Sequence, residues 1–305
     1  MITIPDWPDV PPTSCGEGTI PLRYQDVAQD GRLRLVALSP AVGAVVWQSV
    51  IHASPMARAM RDTGVVPILS RLILEGGGGP ISVQHPMRGR GALELAHSVD
   101  GNGDVSKILL NMWVDVEAPR GRTHFPQPAG AGEPIRVGRI FAEHVFSRPF
   151  GPPAERKVLS FSVAGGPAVP PLRYAWRELE DVLALPPDAV ALEPEPRPAP
   201  AVTVFSLGDT DSNQHVNSLV YPRIFEEEAV RRFHEHGVST RALLMRGIDI
   251  AFRKPCFAGD VMRIGVRAFR WGEGFGAAVS LGPSPTAGGA PARPHCCARL
   301  YFSDG

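Results

Sequence analysis

The 305-residue chain has few cysteines, no excess of charge of either sign and no long apolar run. Its four cysteines include no Cys-x-x-Cys pair, which argues against a disulfide scaffold and a structural zinc site. Lys plus Arg and Asp plus Glu both number 31, so the charge balance favours neither nucleic acid nor an anionic membrane as a partner. No stretch approaches the ~18 apolar residues of a membrane-spanning helix. We therefore expect a soluble, cytoplasmic protein with no membrane insertion, no metal and no cofactor.

Proline is abundant between Leu185 and Pro200, where it alternates with Ala and Glu. This composition is typical of an extended, semi-rigid linker. The sequence therefore predicts an N-terminal domain of residues 1–185, a linker over 186–201 and a C-terminal domain of residues 202–305.

The C-terminal domain shows a helical pattern followed by strand patterns. A helix is predicted from Asn217 to His236, because apolar residues recur at spacings of three to five. A polar loop at 208–214 precedes it. Strands are predicted at 202–207, 247–253, 261–271, 276–281 and 296–302, with a Gly- and Pro-rich loop before the last of them. A long helix followed by antiparallel strands predicts an α+β fold in which a sheet wraps one helix.

The N-terminal domain repeats this order of elements. A short strand and a polar loop precede a helical segment at 35–62, which Pro40 and Pro55 interrupt. Strands are predicted at 20–24, 68–74, 81–84, 92–98, 108–116, 140–146 and 158–163. Alignment of Asp26 with Asp209 places both loops before both helices, and predicts a duplication that forms a pseudo-dimer within one chain.

Polar side chains are concentrated in the loop before the C-terminal helix. Two carboxylates, an amide and an imidazole fall within seven residues, at Asp209, Asp211, Asn213 and His215. A rigid scaffold can direct loop residues toward a ligand, and the N–H groups that open a helix can stabilise an oxyanion. Acyl thioester hydrolysis needs these parts, namely a nucleophile, a base and donors for the carbonyl oxygen. Turn and capping chemistry alone is the alternative interpretation of Asp-x-Asn before a helix.

This loop and two further segments resemble a known family. The loop motif is Asp211-x-Asn213-x-His215-Val216-Asn217, followed by Tyr221. It resembles the acyl-acyl-carrier-protein thioesterases, and its Asp-x-x-x-His-Val-Asn part is shared with hotdog proteins similar to 4-hydroxybenzoyl-CoA thioesterase. Residues 24–35 resemble the opening of that family's first hotdog, and residues 250–260 the strand and Gly-Asp turn after a hotdog helix. The resemblance implies an α+β tandem hotdog, each half a long helix wrapped by an antiparallel sheet, that hydrolyses acyl thioesters.

The same resemblance implies roles for three residues. Asp211 would be the nucleophile or base, or would orient the other two. Asn213 would position the attacking water or the thioester carbonyl, and His215 would act as acid and base. The implied partner is an acyl carrier protein or acyl-CoA in fatty acid or polyketide metabolism. A tandem hotdog pairs within one chain, so either a monomer or a homodimer is expected.

Four nearby residues are candidates for supporting roles, and each also has a structural interpretation. Asp209 is a second carboxylate, Asn217 is interpreted as the helix N-cap, Tyr221 as a core residue and Cys256 as a buried structural cysteine. The residues His295, Cys296 and Cys297 are also interpreted as structural.

The chain departs from the family next to Cys256. Pro255 stands where the family tends to have a Glu, so a second carboxylate role would fall to Asp209, Asp249 or a helix Glu. This departure supports an alternative, a non-catalytic acyl-binding protein. A hydratase or dehydratase is a further alternative, although the spacing of Asp211 and His215 argues against it.

The N-terminal loop lacks these side chains. Ala28, Asp30 and Arg32 occupy the positions of Asp211, Asn213 and His215 in the alignment. The N-terminal half is therefore expected to be catalytically silent and, by the resemblance, to form part of the acyl pocket.

Overall fold

The computed structural model of the chain describes residues 2–284 and 293–304. The chain forms two compact units, one of Thr3–Arg177 and one of Met1–Ile2 with Glu178–Gly305. Most of the Gly- and Pro-rich loop predicted before the last strand lies outside the described residues.

The first unit contains a five-stranded antiparallel sheet in the order β1-β3-β4-β5-β2. Its strands are β1 (Cys15–Ile20), β2 (Val66–Gly76), β3 (Met87–Val99), β4 (Val105–Pro119) and β5 (Pro134–Ser147). Four of these strands cover predicted ones. Their centres are almost entirely buried, which is the pattern of strands that pack on both faces.

The helical region of this unit is broken into three pieces, in agreement with the predicted interruptions at Pro40 and Pro55. The pieces are a 3₁₀ turn (Leu35–Leu38), a π-helix (Val42–Ile51) and α1 (Pro55–Thr63). The predicted break at Pro55 is confirmed, because Ser54 caps α1 and Pro55 is its first residue.

No single helix among residues 2–284 and 293–304 is long and apolar enough to cross a membrane. Leu35–Ile51 and Pro55–Thr63 reach that length and composition only together, and they are bent by 93°.

The second unit contains a four-stranded antiparallel sheet in the order β9-β12-β11-β10. Its strands are β9 (Leu243–Phe252), β10 (Val261–Trp271), β11 (Gly274–Pro283) and β12 (Cys296–Asp304). The helix α2 (Val220–Glu235) packs on this sheet, and Phe233 contacts the rings of Phe275 and Phe302. The four strands and the continuous helix were all predicted.

The Pro-rich segment predicted as a linker lies along β10. Three two-residue strands pair with β10, namely β6 (Val190–Ala191), β7 (Arg197–Pro198) and β8 (Thr203–Val204). Upstream of the predicted linker, Leu179 and Val182 pack against Ala251 and Cys297 of the same unit. The placement of the domain boundary itself stays a prediction.

Four strand predictions are wrong in extent or kind. Of residues 20–24 only Ile20 belongs to β1, since Pro21 has no N–H to donate and Arg23–Asp26 form a capped turn. Residues 202–207 contain only the two residues of β8, because a turn capped by Ser206 follows. Residues 81–84 contribute one bridge from Ile81, and 158–163 form no strand. In each case turn chemistry, which apolar content does not report, ends the pairing.

Candidate active site

The loop before α2 is a tight hairpin. Thr210 and Val216 form a bridge, the N–H of Asp211 donates to the carbonyl of His215 (3.2 Å), and the N–H of Gln214 donates to the carbonyl of Asp211 (2.9 Å). Gln214 has a φ of 64°, a left-handed conformation that few non-glycine residues adopt. The hairpin therefore has a fixed backbone from which residues 211–215 project.

The carboxylate of Asp211 is fully engaged within this hairpin. Its Oδ1 accepts the N–H of Asn213 (2.8 Å), and its Oδ2 accepts a hydrogen bond from Nδ2 of Asn217 (2.9 Å). Of the three roles open to Asp211, this arrangement favours that of a residue that orients its neighbours.

Asn217 is not the N-cap of α2, contrary to our prediction. The helix begins at Val220 with Leu219 as its N-cap, and the Oδ1 of Asn217 accepts the N–H of Leu219 (2.9 Å). Asn217 therefore ties Asp211 to the chain that enters the helix.

Asn213 and His215 are the accessible hairpin side chains that carry an amide and an imidazole from the predicted motif. Asn213 is exposed and His215 is half-buried, with its Nδ1 lying 3.2 Å from the carbonyl of Val216. An amide can donate to an oxyanion, and an imidazole can move protons near neutral pH. These two side chains are therefore placed to act on a ligand that reaches the hairpin.

Asp209 stabilises the base of the loop. Its Oδ2 accepts hydrogen bonds from the N–H (2.9 Å) and Oγ (3.0 Å) of Ser206, and its Oδ1 lies 3.5 Å from Nη2 of Arg223. These contacts tie Asp209 to the turn before it and to α2, so its geometry indicates a structural role.

Tyr221 and Cys256 lie behind the loop. Tyr221 is 3% exposed, and its ring contacts Phe205, Phe225 and Phe252. Cys256 is fully buried, and burial raises the pKa of its thiol to about 11. A protonated, inaccessible thiol is a poor nucleophile. Cys256 instead supports the hairpin, since its backbone carbonyl accepts the N–H of Val216 (2.8 Å).

His295 is close to these residues, although the sequence interpretation assigned it no function. Its Nδ1 lies 3.6 Å from the Sγ of Cys256, and its ring is half-buried. Burial lowers the pKa of His295 below its ordinary value. The two residues are 39 positions apart and meet only through the pairing of β9 with β12, so no local motif could have revealed the contact.

Pro255 is exposed, and the carboxylate of Asp260, which follows it in the same turn, accepts the N–H of Phe257 at Oδ2 (2.8 Å). Asp249 is on the same side of β9 as Ala251, which packs against Leu179 and Val182, whereas Phe252 on the opposite side contacts Tyr221. Asp249 therefore faces away from α2.

Two glutamates of α2, next to the loop, form ion pairs on the helix surface. Glu227 pairs with Arg223 (3.2 Å) and Glu228 pairs with Arg231. Asp209, Glu227 and Glu228 thus have ion-pair partners, and the assignment of a second carboxylate role to Asp209, Asp249 or a helix Glu stays a prediction.

The loop of the first unit has the same backbone hydrogen bonds. Val27 bridges Leu33, the N–H of Ala28 donates to the carbonyl of Arg32 (2.8 Å), and the N–H of Gly31 donates to the carbonyl of Ala28 (2.9 Å). The structure thus places Ala28, Asp30 and Arg32 where the second unit has Asp211, Asn213 and His215.

A surface cavity of ≈240 Å³ adjoins the second loop. It is lined by residues that include Phe205, Asp209, Arg223, Ile224 and Glu227. No group of three or more His, Cys, Asp or Glu side chains within the described part of the chain could hold a metal ion.

The chain is similar in structure to solved thioesterases. An acyl-ACP thioesterase from Bacteroides thetaiotaomicron is 14% identical with a TM-score of 0.55, over 95% of this chain and 98% of that one. A putative oleoyl thioesterase from Lactobacillus plantarum is 10% identical with a TM-score of 0.59, over 95% and 96%. The 12:0-ACP thioesterase from Umbellularia californica is 12% identical with a TM-score of 0.50, over 95% and 98%.

No family model and no curated protein sequence matches the chain. At 10–14% identity, the structural similarity establishes the fold. With one sheet and one helical region in each compact unit, the chain has a tandem hotdog fold that it shares with these solved thioesterases.

Proposed function

We propose that the chain hydrolyses an acyl thioester, linked to an acyl carrier protein or to CoA, to a free acid and a thiol. The observation that carries this proposal is the hairpin at 209–217, which presents the exposed amide of Asn213 and the half-buried imidazole of His215 two positions apart on one fixed backbone. Thioester hydrolysis needs these two functions, a donor for the carbonyl oxygen and a group that moves protons. The thioesterase names of the structural neighbours add support.

In the proposed reaction, the amide of Asn213 binds the thioester carbonyl oxygen or the attacking water. The water oxygen bonds to the carbonyl carbon as a proton leaves it, and the C–S bond then breaks. The departing thiolate takes up a proton, so one water is consumed and one acid and one thiol are formed. His215 transfers protons in this sequence, and Asp211 orients its neighbours by accepting the N–H of Asn213 and a hydrogen bond from the side-chain amide of Asn217.

A non-catalytic acyl-binding protein is the second candidate. Pro255 favours it, because the described carboxylates near the loop are either engaged or directed elsewhere. The intact set of Asp211, Asn213 and His215 favours the hydrolase.

The test is release of free thiol from a panel of acyl-CoA and acyl-carrier-protein thioesters. His215→Ala should lower kcat/KM by roughly 10²–10⁴-fold, the usual contribution of a general acid or base. Asp211→Ala should also lower it, because the side-chain amide of Asn217 and the N–H of Asn213 lose the carboxylate that orients them. The matched control is Asp30→Ala in the first loop, which should leave activity unchanged. A folded wild type that binds acyl chains but cleaves no thioester would establish the second candidate instead.

We also propose a cytoplasmic location and a monomer or homodimer. The tandem arrangement supports a monomer, since it supplies both hotdogs in one chain. Size-exclusion chromatography with light scattering measures the oligomeric state directly.

A further inference from the structure

The hairpin presents only one side chain suited to proton transfer, namely His215. Thioester hydrolysis moves two protons, one from the attacking water and one to the departing sulfur. Both oxygens of Asp211 accept hydrogen bonds inside the hairpin, and Asp209 is held by Ser206 and Arg223. A second proton-transfer group would therefore come from outside the loop.

The fold brings His295 to this place, next to Asp260, whose Oδ2 already accepts the N–H of Phe257 (2.8 Å). The ring of His295 lies against Cys256 Sγ (3.6 Å), and the carbonyl of Cys256 accepts the N–H of Val216, the residue next to His215. One short segment, 254–256, thus lies between His295 and the hairpin, and it includes Pro255, the position at which the resemblance places a Glu.

The neighbours of His295 do not compete for this role. Cys256 is fully buried, and burial raises the pKa of its thiol to about 11. Burial also raises the pKa of Tyr221, which is 3% exposed. Neither group exchanges protons near neutral pH, whereas the side chain of His295 is only half-buried.

We propose that His295 is the second proton-transfer group of the thioesterase site, an inference that rests on the proposed function. His295 accepts the proton of the attacking water as the oxygen bonds to the carbonyl carbon. His215 gives a proton to the thiolate as the C–S bond breaks. Proton exchange with solvent then restores both rings, so acid and thiol form from one thioester and one water.

The surroundings of His295 hold its ring neutral, as a base requires. Burial lowers the pKa of His295, and Lys254 and Arg253 lower it further. A hydrogen bond with the backbone of Pro255 and the charge of Asp260 oppose the shift without cancelling it. The activity should therefore fall as the pH drops through a pKa below 6.5, because the base becomes protonated.

The test is the pH profile of kcat/KM for the wild type and His295→Gln. We expect kcat to fall by roughly 10²-fold with KM little changed, and the acid limb of the profile to disappear. His234→Gln is the matched control, because His234 is an exposed residue of α2 in the same unit. It should match the wild type.

A rescue variant separates proton transfer from a structural role. Pro255 is exposed, so His295→Gln with Pro255→Glu can supply a carboxylate at this place. It should regain activity, with an acid limb at lower pH because a carboxyl titrates near 4.3. His295→Gln with wild-type kcat and pH profile would refute the inference and leave the hydrolase standing.

A measurement on the wild type covers the case in which His295→Gln does not fold. The imidazole titration of His295, followed by NMR, should coincide with the acid limb of kcat/KM, and a mismatch would refute the role. If the wild type cleaves no thioester, the proposed function fails first and the inference fails with it.

Discussion

The two loops that precede the helical regions share one backbone and differ in the side chains it carries. In each, an Asp accepts the N–H three residues earlier, Asp26 from Arg23 (2.8 Å) and Asp209 from Ser206 (2.9 Å). In each, the carbonyl of this Asp accepts a later N–H, from Arg34 (2.8 Å) or Asn217 (2.9 Å). A constant offset of 183 positions relates every pair.

Comparison of the two loops distinguishes the residues that determine the backbone conformation from the residues that are candidates for a function. The first loop forms the same hairpin with Ala28 at the position of Asp211, so the carboxylate of Asp211 is not required for the backbone path. The same holds for His215, which Arg32 replaces. Side chains that the backbone does not need are those for which a functional role explains their presence.

The first prediction exchanges the side chains between the loops and has the largest expected effect. Introducing Asp211→Ala, Asn213→Asp and His215→Arg gives the second loop the first loop's residues. Thiol release should fall by roughly 10²–10⁴-fold, because the amide and the imidazole are both lost. The melting temperature should change little, since the first loop shows that these residues fit this backbone.

The reciprocal exchange is the control. Ala28→Asp, Asp30→Asn and Arg32→His in the first loop should leave thiol release at the wild-type level. If instead the reciprocal variant loses activity and the second-loop variant keeps it, the assignment of the silent half is reversed.

The second prediction concerns the buried contacts that fix the end of α2. The last turns of α2 pack against Glu193, whose Oε1 accepts the N–H of Ala268 (2.9 Å) and lies 3.8 Å from Nε of Arg232. Both side chains of this pair are at least 94% buried. Glu193→Ala would remove a carboxylate that compensates the buried positive charge of Arg232. It should lower the free energy of unfolding by about 3 kcal/mol.

Urea unfolding measures this change in the second unit. Glu193→Gln is the matched control, since it retains an oxygen for Ala268 and should cost less than Glu193→Ala. Equal stability of Glu193→Ala and the wild type would contradict a buried pair that fixes the helix end.

The third prediction tests the first unit, where glycines bring the π-helix close to β3. A Cβ on Gly91 would lie 2.8 Å from methyl carbons of Val45 and Val46 and 3.1 Å from the carbonyl oxygen of Trp113. Gly91→Ala should therefore cost about 2 kcal/mol through overpacking. Gly43→Ala is the control, because a Cβ there has nothing within 4 Å. Thermal unfolding that ranks the two variants alike would argue against this close approach.

The long helix α2 and the long strands were predictable because their patterns of apolar residues are strong. The prediction for 261–271 matches β10, whose buried residues alternate along the strand, and the helix prediction lies within three residues of α2 at its start. The π-helix was not predictable, since its close approach to β3 is set by glycines that are distant in the sequence.

Only the part of the candidate site whose residues are neighbours in the sequence was predictable. Asp211, Asn213 and His215 are neighbours in the sequence, and their motif identifies them. The contact of His295 with Cys256 depends on strand pairing over 39 positions, and the buried environment of Cys256 depends on the aromatic side chains around Tyr221. Interactions of this kind arise from the tertiary fold and have no local sequence signal.

The last prediction concerns the position at which the two hairpins differ in the free-energy cost of a left-handed backbone conformation. Gln214 has a φ of 64°, whereas the first loop has glycine at this point, Gly31, with a φ of 86°. A left-handed conformation costs a non-glycine residue about 1 kcal/mol, and glycine costs part of this in unfolded-chain entropy. Gln214→Gly should therefore stabilise the protein by about 0.5 kcal/mol in urea unfolding.

Activity completes this test, since Gln214→Gly keeps the N–H that bonds the carbonyl of Asp211. The variant should retain the wild-type kcat/KM. Ser212→Gly, at an exposed position where φ is not left-handed, is the control and should lower stability. A Gln214→Gly variant that is more stable but loses thiol release would instead show that the glutamine side chain acts in the site, and that the second hairpin retains a strained residue because catalysis requires it.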